Sequence, residues 1–264
     1  MNMLIFDTET TGIENAELIE FGGLHFDVGY RSHNLSDQVL LIEKRFKMRP
    51  EQRILPVSTV IHGITQDRAD EWESCSKVIP ELHDFLTSNT DNKTIFVGQN
   101  INYDIDVLNS AFKKYGLSEI NFNLTIDTRR LAKQFIPKDD IGGYSLDAIY
   151  YYLFPERLDK LFDKRSIHSA VTDCWLTYDV LMELKKRMDI DWLKTDYHTW
   201  EQLCEISAKP FDLSEETWSF GKHKGIKFKD TPSSYVRWCL TSEFKDDPKN
   251  SDIVYTLRKL QNSI

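Results

Sequence analysis

The sequence predicts an α/β protein, a mixed five-stranded sheet with helices on both faces, followed by a small α+β domain. Three observations carry that expectation. Three apolar, strand-like runs with short connections fill the N-terminal stretch. Two further runs alternate with segments of helical periodicity, and residues 213–264 change character to aromatics and lysines around two glycines.

Met3-Leu4-Ile5-Phe6 runs straight into Asp7-Thr8-Glu9 and then Thr10-Thr11-Gly12-Ile13, which reads as a buried central strand ending in a tight turn. Leu18–Phe26 and Gln38–Ile42 read as two further strands of an antiparallel meander. Ser76–Ser88 carries Val78, Ile79, Leu82, Phe85 and Leu86 at helical spacing behind a good N-cap. A fourth strand is expected at Thr94–Val97, then a helix from Asn102 to Tyr115 closed by Gly116. Leu124–Asp127 reads as the fifth strand, feeding a helix over Thr128–Phe135 that Pro137 stops. After the break at Gly142-Gly143 come a helix over Ser145–Phe154 and a long amphipathic one over Ser169–Met188.

The pattern fades over Asp189–Thr195, so the chain divides into a domain over 1–190, a connecting segment over 191–212 and a small domain over 213–264. Within the connecting segment, Trp200–Ile206 reads as a short helix stopped at Pro210. Residues 217–229 alternate apolar and polar around Gly221-Lys222-His223-Lys224-Gly225, which predicts a hairpin with a basic tip. Pro232–Leu240 and Asp252–Leu260 are expected to close the domain as helices.

Chemistry enters at the end of the first strand. Side chains two apart on a strand share a face, so Asp7 and Glu9 project together while Thr8 points away. Two carboxylates so close repel each other, and hard oxygens in that arrangement suit Mg²⁺ or Mn²⁺. The pair alone leaves open a surface strand end with two solvated acids.

Two later motifs narrow the choice. Asn100-Ile101-Asn102-Tyr103-Asp104 follows the fourth apolar run, and His168-Ser169-Ala170-Val171-Thr172-Asp173 opens the late helix. Asp-x-Glu, Asn-x-x-Tyr-Asp and His-x-Ala-x-x-Asp in that order resemble the three motifs of the four-acid 3′-to-5′ exonucleases, histidine subtype. The resemblance implies a ribonuclease H-like fold and phosphodiester hydrolysis with two Mg²⁺ (or Mn²⁺) ions. Asp7, Glu9, Asp104 and Asp173 would serve them, Asp7 bridging both, Glu9 and Asp173 completing the shells and Asp104 acting through water. His168 is then the general base, a role that its ordinary pKa near ~6.5 suits. Five residues separate it from Asp173, about 140° around an ideal helix, so it is expected on the loop ahead of that helix.

By residue type alone Asp91 and Asp106 rival Asp104, and an acid in a first helical turn has a purely structural use. The Asn100-x-x-Tyr103-Asp104 spacing selects it, although Gln99 stands where the family usually has His. The resemblance also implies that Thr8, Thr10, Gly12, Asn100 and Tyr103 line the position of a strand's 3′ end. Ile13 would pack against the last base there; a turn residue tucked into the core is the other reading of Ile13.

In the tail, Trp200-Glu201-Gln202, Lys209-Pro210, Phe220-Gly221-Lys222-His223-Lys224-Gly225 and Tyr235-Val236-Arg237-Trp238 resemble the C-terminal region of exodeoxyribonuclease X-type enzymes, which favours DNA over RNA. Lys222 and Lys224, with His223, Lys227 and Lys229 beside them, form a turn suited to a phosphate backbone. Trp218, Phe228, Tyr235 and Trp238 are candidates for stacking or for the domain's own core.

Net charge of −9 argues against strong electrostatic binding of nucleic acid, but it is unevenly placed: residues 1–212 carry 24 basic and 35 acidic side chains, residues 213–264 carry 9 and 7. No apolar run approaches the ~20 residues of a membrane span. The N-terminus lacks a basic, cleavable leader, which points to the cytoplasm and to no membrane partner. Cys75, Cys174, Cys204 and Cys239 show no metal or disulfide spacing. The expected partner is a DNA 3′ end, and no protein partner is indicated. An exoribonuclease, or a non-catalytic nucleic-acid-binding adaptor on the same fold, are the alternatives.

Overall fold

A computed structural model of the 264-residue chain describes residues 1–13, 15–28, 38–157, 168–189 and 199–262. Two compact units emerge, Met1–Ala208 and Lys209–Ile264. Among the described residues no helix is long and apolar enough to cross a membrane.

The first unit is built on strands β1 (Asn2–Thr10), β2 (Leu18–Val28), β3 (Gln38–Lys47), β4 (Ile95–Gly98) and β5 (Leu124–Asp127), in the sheet order β3-β2-β1-β4-β5. β1, β2 and β3 pair antiparallel, as the short connections predict, and β1, β4 and β5 pair parallel. A central strand covered on both faces must be apolar on both, and β1 shows why its run is continuous. Met3 and Ile5 enter one core cluster, Leu4 and Phe6 the other.

Helices α1 (Pro56–His62), α2 (Gln66–Asp70), α3 (Cys75–Asn89), α4 (Ile101–Lys114), α5 (Thr128–Phe135), α6 (Lys138–Ile141), α7 (Leu146–Leu153), α8 (Ala170–Arg187) and α9 (Trp200–Ala208) complete this unit. The face of Leu4 and Phe6 is covered by Val78, Ile79 and Leu82 of α3 and Leu108 and Phe112 of α4. The face of Met3 and Ile5 is covered from α5, α7, α8 and α9. Ser145 and Ser169 cap α7 and α8 with their side chains, and Gly116 takes the left-handed φ of +72° just beyond α4.

The division differs from the expected linker over 191–212. The fading stretch Asp189–Thr195 lies outside the described residues from 190 onward. Beyond it, α9 is integral to the first unit: Trp200 is 1% exposed, Leu203, Cys204 and Ile206 join the large core, and Ser207 Oγ accepts a 2.8 Å hydrogen bond from the Asp127 amide. Its apolar stripe finds the end of β5 and α5 to cover, which local pattern does not reveal.

The second unit packs Trp218, Phe228, Cys239, Ile253 and Leu257 between helices α10 (Ser233–Thr241) and α11 (Ser251–Gln261). The hairpin expected over 217–229 is reduced to a single bridge, Thr217 with Lys227. Gly221 and Gly225, at φ +72° and +87°, curl the chain between them, and Phe228–Asp230 turns at once into a 3-10 helix.

Candidate active site

Asp7 and Glu9 occupy alternate positions on β1 and so share the face that α8 covers. Asp173, in the first turn of α8, joins them: one ligand oxygen from each of the three lies within 4.8 Å of the others. Glu9 and Asp173 are buried, 8% exposed each. Burial, and the neighbouring carboxylates of Asp104, Asp173, Glu9 and Glu20, hold the Asp7 carboxyl well above the usual carboxylate range. Such a cluster favours either a proton or a cation.

Asp104 stands on the other face of β1, in the first turn of α4. There it meets Thr8, whose parity is opposite to that of Asp7 and Glu9. Asp104 Oδ1 accepts from the Thr8 amide at 3.0 Å and from the Thr8 hydroxyl at 2.5 Å. Burial pushes Asp104 up to about 7, against the pull of those two hydrogen bonds. The side chain expected to point away from the acids therefore positions one of them.

His168 lies on the loop before α8, where the spacing predicts it. Its Nδ1 is 3.1 Å from Asp173 Oδ2, and its Nε2 is 3.8 Å from Asp147 Oδ2 on α7. About a third of its side chain is exposed.

The start of α8 is seated on β2. Glu20, fully buried, accepts from the Ala170 amide at 3.1 Å through Oε1 and pairs with Arg45 at 2.8 Å through Oε2. Two residues on, a Cβ at Gly22 would stand 2.5 Å from the carbonyl carbon of Ala170 and from the amide nitrogen of Val171. Cys174 Sγ lies 3.3 Å from the Gly22 carbonyl. Glycine is required there because helix and strand backbones touch.

Residues 4–181 match the exonuclease family. The chain belongs to that family. Its fold and its match to that family are those of a DnaQ-like 3′-to-5′ exonuclease of nucleic acid. It is 27% identical over 245 residues to the PolC-type DNA polymerase III of Thermotoga petrophila, covering 89% of this chain and 16% of that one. The corresponding protein of Ureaplasma parvum is 22% identical over 268 residues, 95% of this chain and 17% of the other. This exonuclease thus spans about a sixth of the length of these curated relatives. Among solved structures, Exonuclease I without ligand superposes with a TM-score of 0.54 at 18% identity, covering 73% of this chain and 44% of that one. Exonuclease X in complex with 5′ overhanging duplex DNA aligns at a TM-score of 0.48 and 22% identity, over 78% of this chain and 99% of that one.

In the exonuclease, the turn after β1 is locked from below. Thr10 Oγ1 donates to the Gly12 carbonyl at 2.7 Å and lies 3.0 Å from the Tyr103 hydroxyl, which also donates to Gly12 at 3.3 Å. Thr10 and Tyr103 thereby hold the turn, and Ile13 at its tip is 74% exposed, which removes the core reading of that residue. Leu55 packs on Gly12. Asn100 takes a left-handed φ of +65° at the start of α4; its amide donates to Asp127 Oδ1 at 3.1 Å, and its side chain meets Arg129. Gln99, in place of the family's usual His, spans from the Thr128 hydroxyl at 2.6 Å to the Tyr144 carbonyl at 3.0 Å.

Sequence reasoning missed Glu20 and Asp127, and it marked His62 only as part of the stretch Ile61–Thr65 that resembles the family between its first two motifs. Asp127 caps α5 with the amides of Arg129 and Arg130 while holding Asn100. His62, 2% exposed, accepts from the Ile64 amide through Nδ1, and burial lowers its pKa. In the second unit Lys222 and Lys224 are exposed, as expected of a basic tip, whereas Lys227 and Lys229 are both paired with Glu215.

Proposed function

We propose that this exonuclease removes nucleotides from the 3′ end of DNA, releasing 5′-mononucleotides, with His168 as general base and the second unit helping to hold the strand. The convergence of Asp7, Glu9 and Asp173 within 4.8 Å, beside His168 and Asp104, carries the reading. DNA is favoured over RNA by the relatives, which are DNA polymerases, and by fold neighbours solved with DNA oligonucleotides.

The donor set fits divalent cations. Every group is a hard carboxylate oxygen, and the raised Asp7 carboxyl marks charge crowding that a cation relieves. Asp7, Glu9 and Asp173 would hold two Mg²⁺ or Mn²⁺ ions, with Asp104 behind them. Ions bound there supply a polarised water and compensation for the negative charge that builds on the phosphate oxygens.

The chain's own groups do the rest. His168 takes the proton of the attacking water, whose oxygen bonds to phosphorus as the P–O3′ bond of the preceding nucleotide breaks. Glu20 fixes the start of α8, which sets Asp173 and the loop of His168. Thr8 fixes Asp104. Ile13, held out by the Thr10–Tyr103–Gly12 knot, meets the terminal base, and Asn100 and Tyr103 border the same position. Lys222 and Lys224 offer charge to the phosphate backbone.

Matched DNA and RNA oligonucleotides labelled at either end test this, with Mg²⁺, with EDTA, and with Asp7→Ala. DNA shortened from its 3′ end only by wild type and only with metal is the expected result. Preferential loss of RNA would overturn the substrate, and cleavage by Asp7→Ala would overturn the site.

A further inference from the structure

In the second unit the aromatic residues divide into two groups. Trp218 and Phe228 are buried, 1% and 4% exposed, but Trp238 is 50% and Phe220 45% exposed. Tyr235 links inside to outside: it meets Trp218 edge-on at 5.5 Å between ring centres and stacks on Trp238 at 5.3 Å and 24°. Trp238 is backed further by Phe244 at 5.9 Å. The indole is thus held on an anchored ring while half its surface stays open.

The basic turn is pinned to the same tyrosine. The His223 ring lies 4.4 Å from that of Tyr235, and Gly221, at φ +72°, passes beneath the Tyr235 hydroxyl, 3.6 Å from where a Cβ would be. Lys222 and Lys224 flank His223 and have no ion pair among the described residues, nor has Arg237, next to Trp238. Other lysines of the unit are neutralised: Lys227 and Lys229 by Glu215, Lys245 by Asp246, Lys259 by Asp212. Cations without an ion pair among the described residues therefore lie on the turn that Tyr235 pins, and next to Trp238 in the chain.

We infer that Trp238, seated on the same Tyr235 that pins the turn carrying Lys222 and Lys224, is a stacking platform for an unpaired stretch of nucleic-acid strand. An open π-face beside unpaired cations matches a ligand that alternates flat bases with phosphates. Duplex DNA offers the phosphates but keeps its base faces stacked inside. Every base has a π-face, so the platform is tolerant of sequence. This deepens the reading of the second unit as a strand-holding module, by naming the form of strand held.

The test uses the full chain in EDTA and a closed circular oligothymidylate, which offers no end to the nuclease site. Binding is read by fluorescence anisotropy. Trp238→Ala is expected to weaken it by roughly 5- to 100-fold and Trp238→Phe to recover most of the loss. A strand of abasic residues with the same charge is expected to bind wild type weakly and to be indifferent to Trp238→Ala. Equal binding by wild type and Trp238→Ala, equal loss in the phenylalanine variant, abasic binding as tight as thymidylate, or no binding of the circle would each overturn the platform. Cleavage of linear DNA is measured separately with Mg²⁺, so failure of the nuclease reading shows there and leaves the circle result intact.

Discussion

The carboxylate of Glu20, buried in β2, accepts a hydrogen bond from the amide of Ala170, 3.1 Å away at the first residue of α8. Asp173 is the fourth residue of α8, and His168 lies two residues before the helix begins. One strand carboxylate thus fixes the helix start between two site groups, Asp173 in the helix and His168 on the loop ahead of it. A negative charge at a helix N-terminus is favourable in itself, and Arg45 balances it from the half-open side.

Glu20→Ala leaves the Ala170 amide buried and unpaired, which costs about 1–3 kcal/mol of stability. It also frees Asp173 and His168 to drift. The cleavage rate at saturating DNA is expected to fall by roughly 10–100-fold with KM little changed, as when support behind a metal ligand is removed. Glu20→Gln keeps an acceptor for the amide and is expected to recover most of the rate. Loss confined to KM would remove the positioning role.

Gly22→Ala attacks the same seat from the backbone. The new methyl would stand 2.5 Å from the main chain of Ala170 and Val171, so helix or strand must move. Overpacking of this kind costs about 1–3 kcal/mol. The variant is expected to melt earlier than wild type and to cleave slowly even at temperatures where it is fully folded. Unchanged melting would mean the helix start has room to shift.

Asp7→Asn separates stability from activity. In the folded, metal-free protein, burial and four neighbouring carboxylates disfavour the Asp7 charge. Removing that charge is expected to raise the melting temperature in EDTA at neutral pH while abolishing cleavage. A lowered melting temperature would show that Asp7 is not repelled by its neighbours.

The five strands and helices α3, α4 and α5 were legible because each is carried by local pattern, whereas the short helices α1 and α2 were not read. Leu124–Asp127 and Thr128–Phe135 fall where apolar run and Pro137 put them. Asp7, Glu9, Asp104, His168 and Asp173 came from ordered motifs, and strand alternation already placed Asp7 and Glu9 together. Glu20 escaped because its partner is 150 residues away and a lone Glu in a strand gives no sign of helix contact. Asp127 read as a strand end, although it caps one helix and pins the turn before another. Thr8 and Ile13 needed coordinates: one hydroxyl proved committed to Asp104, and one apolar side chain proved exposed.

Asp104 gives the metal-free protein a pH dependence of definite sign. Its carboxyl is raised to about 7 when folded. Between the ordinary carboxylate range and that value, the folded protein keeps a proton that the unfolded chain has released. Stability therefore falls as pH rises through this window. Melting in EDTA is expected to drop from about pH 4 to about pH 7, and Asp104→Asn to reduce the drop, leaving the share that the raised Asp7 carboxyl contributes. Thr8→Val removes a hydrogen bond that favours the ionised form, so it is expected to carry the fall to higher pH. A profile unaffected by either change would place the proton elsewhere.

His168→Ala is expected to slow cleavage by about 10²–10⁴-fold if the imidazole takes the proton from water. Because Nδ1 lies only 3.1 Å from Asp173, the same substitution also releases one contact of a carboxylate proposed to bind a cation. Added imidazole distinguishes the two effects, since it can replace a missing base but cannot reposition Asp173. Single-turnover rates of His168→Ala should therefore rise with imidazole concentration, while the divalent-ion concentration needed for half activity stays at the wild-type value. A rate insensitive to imidazole together with a raised ion requirement would reassign His168 from proton acceptor to support for Asp173.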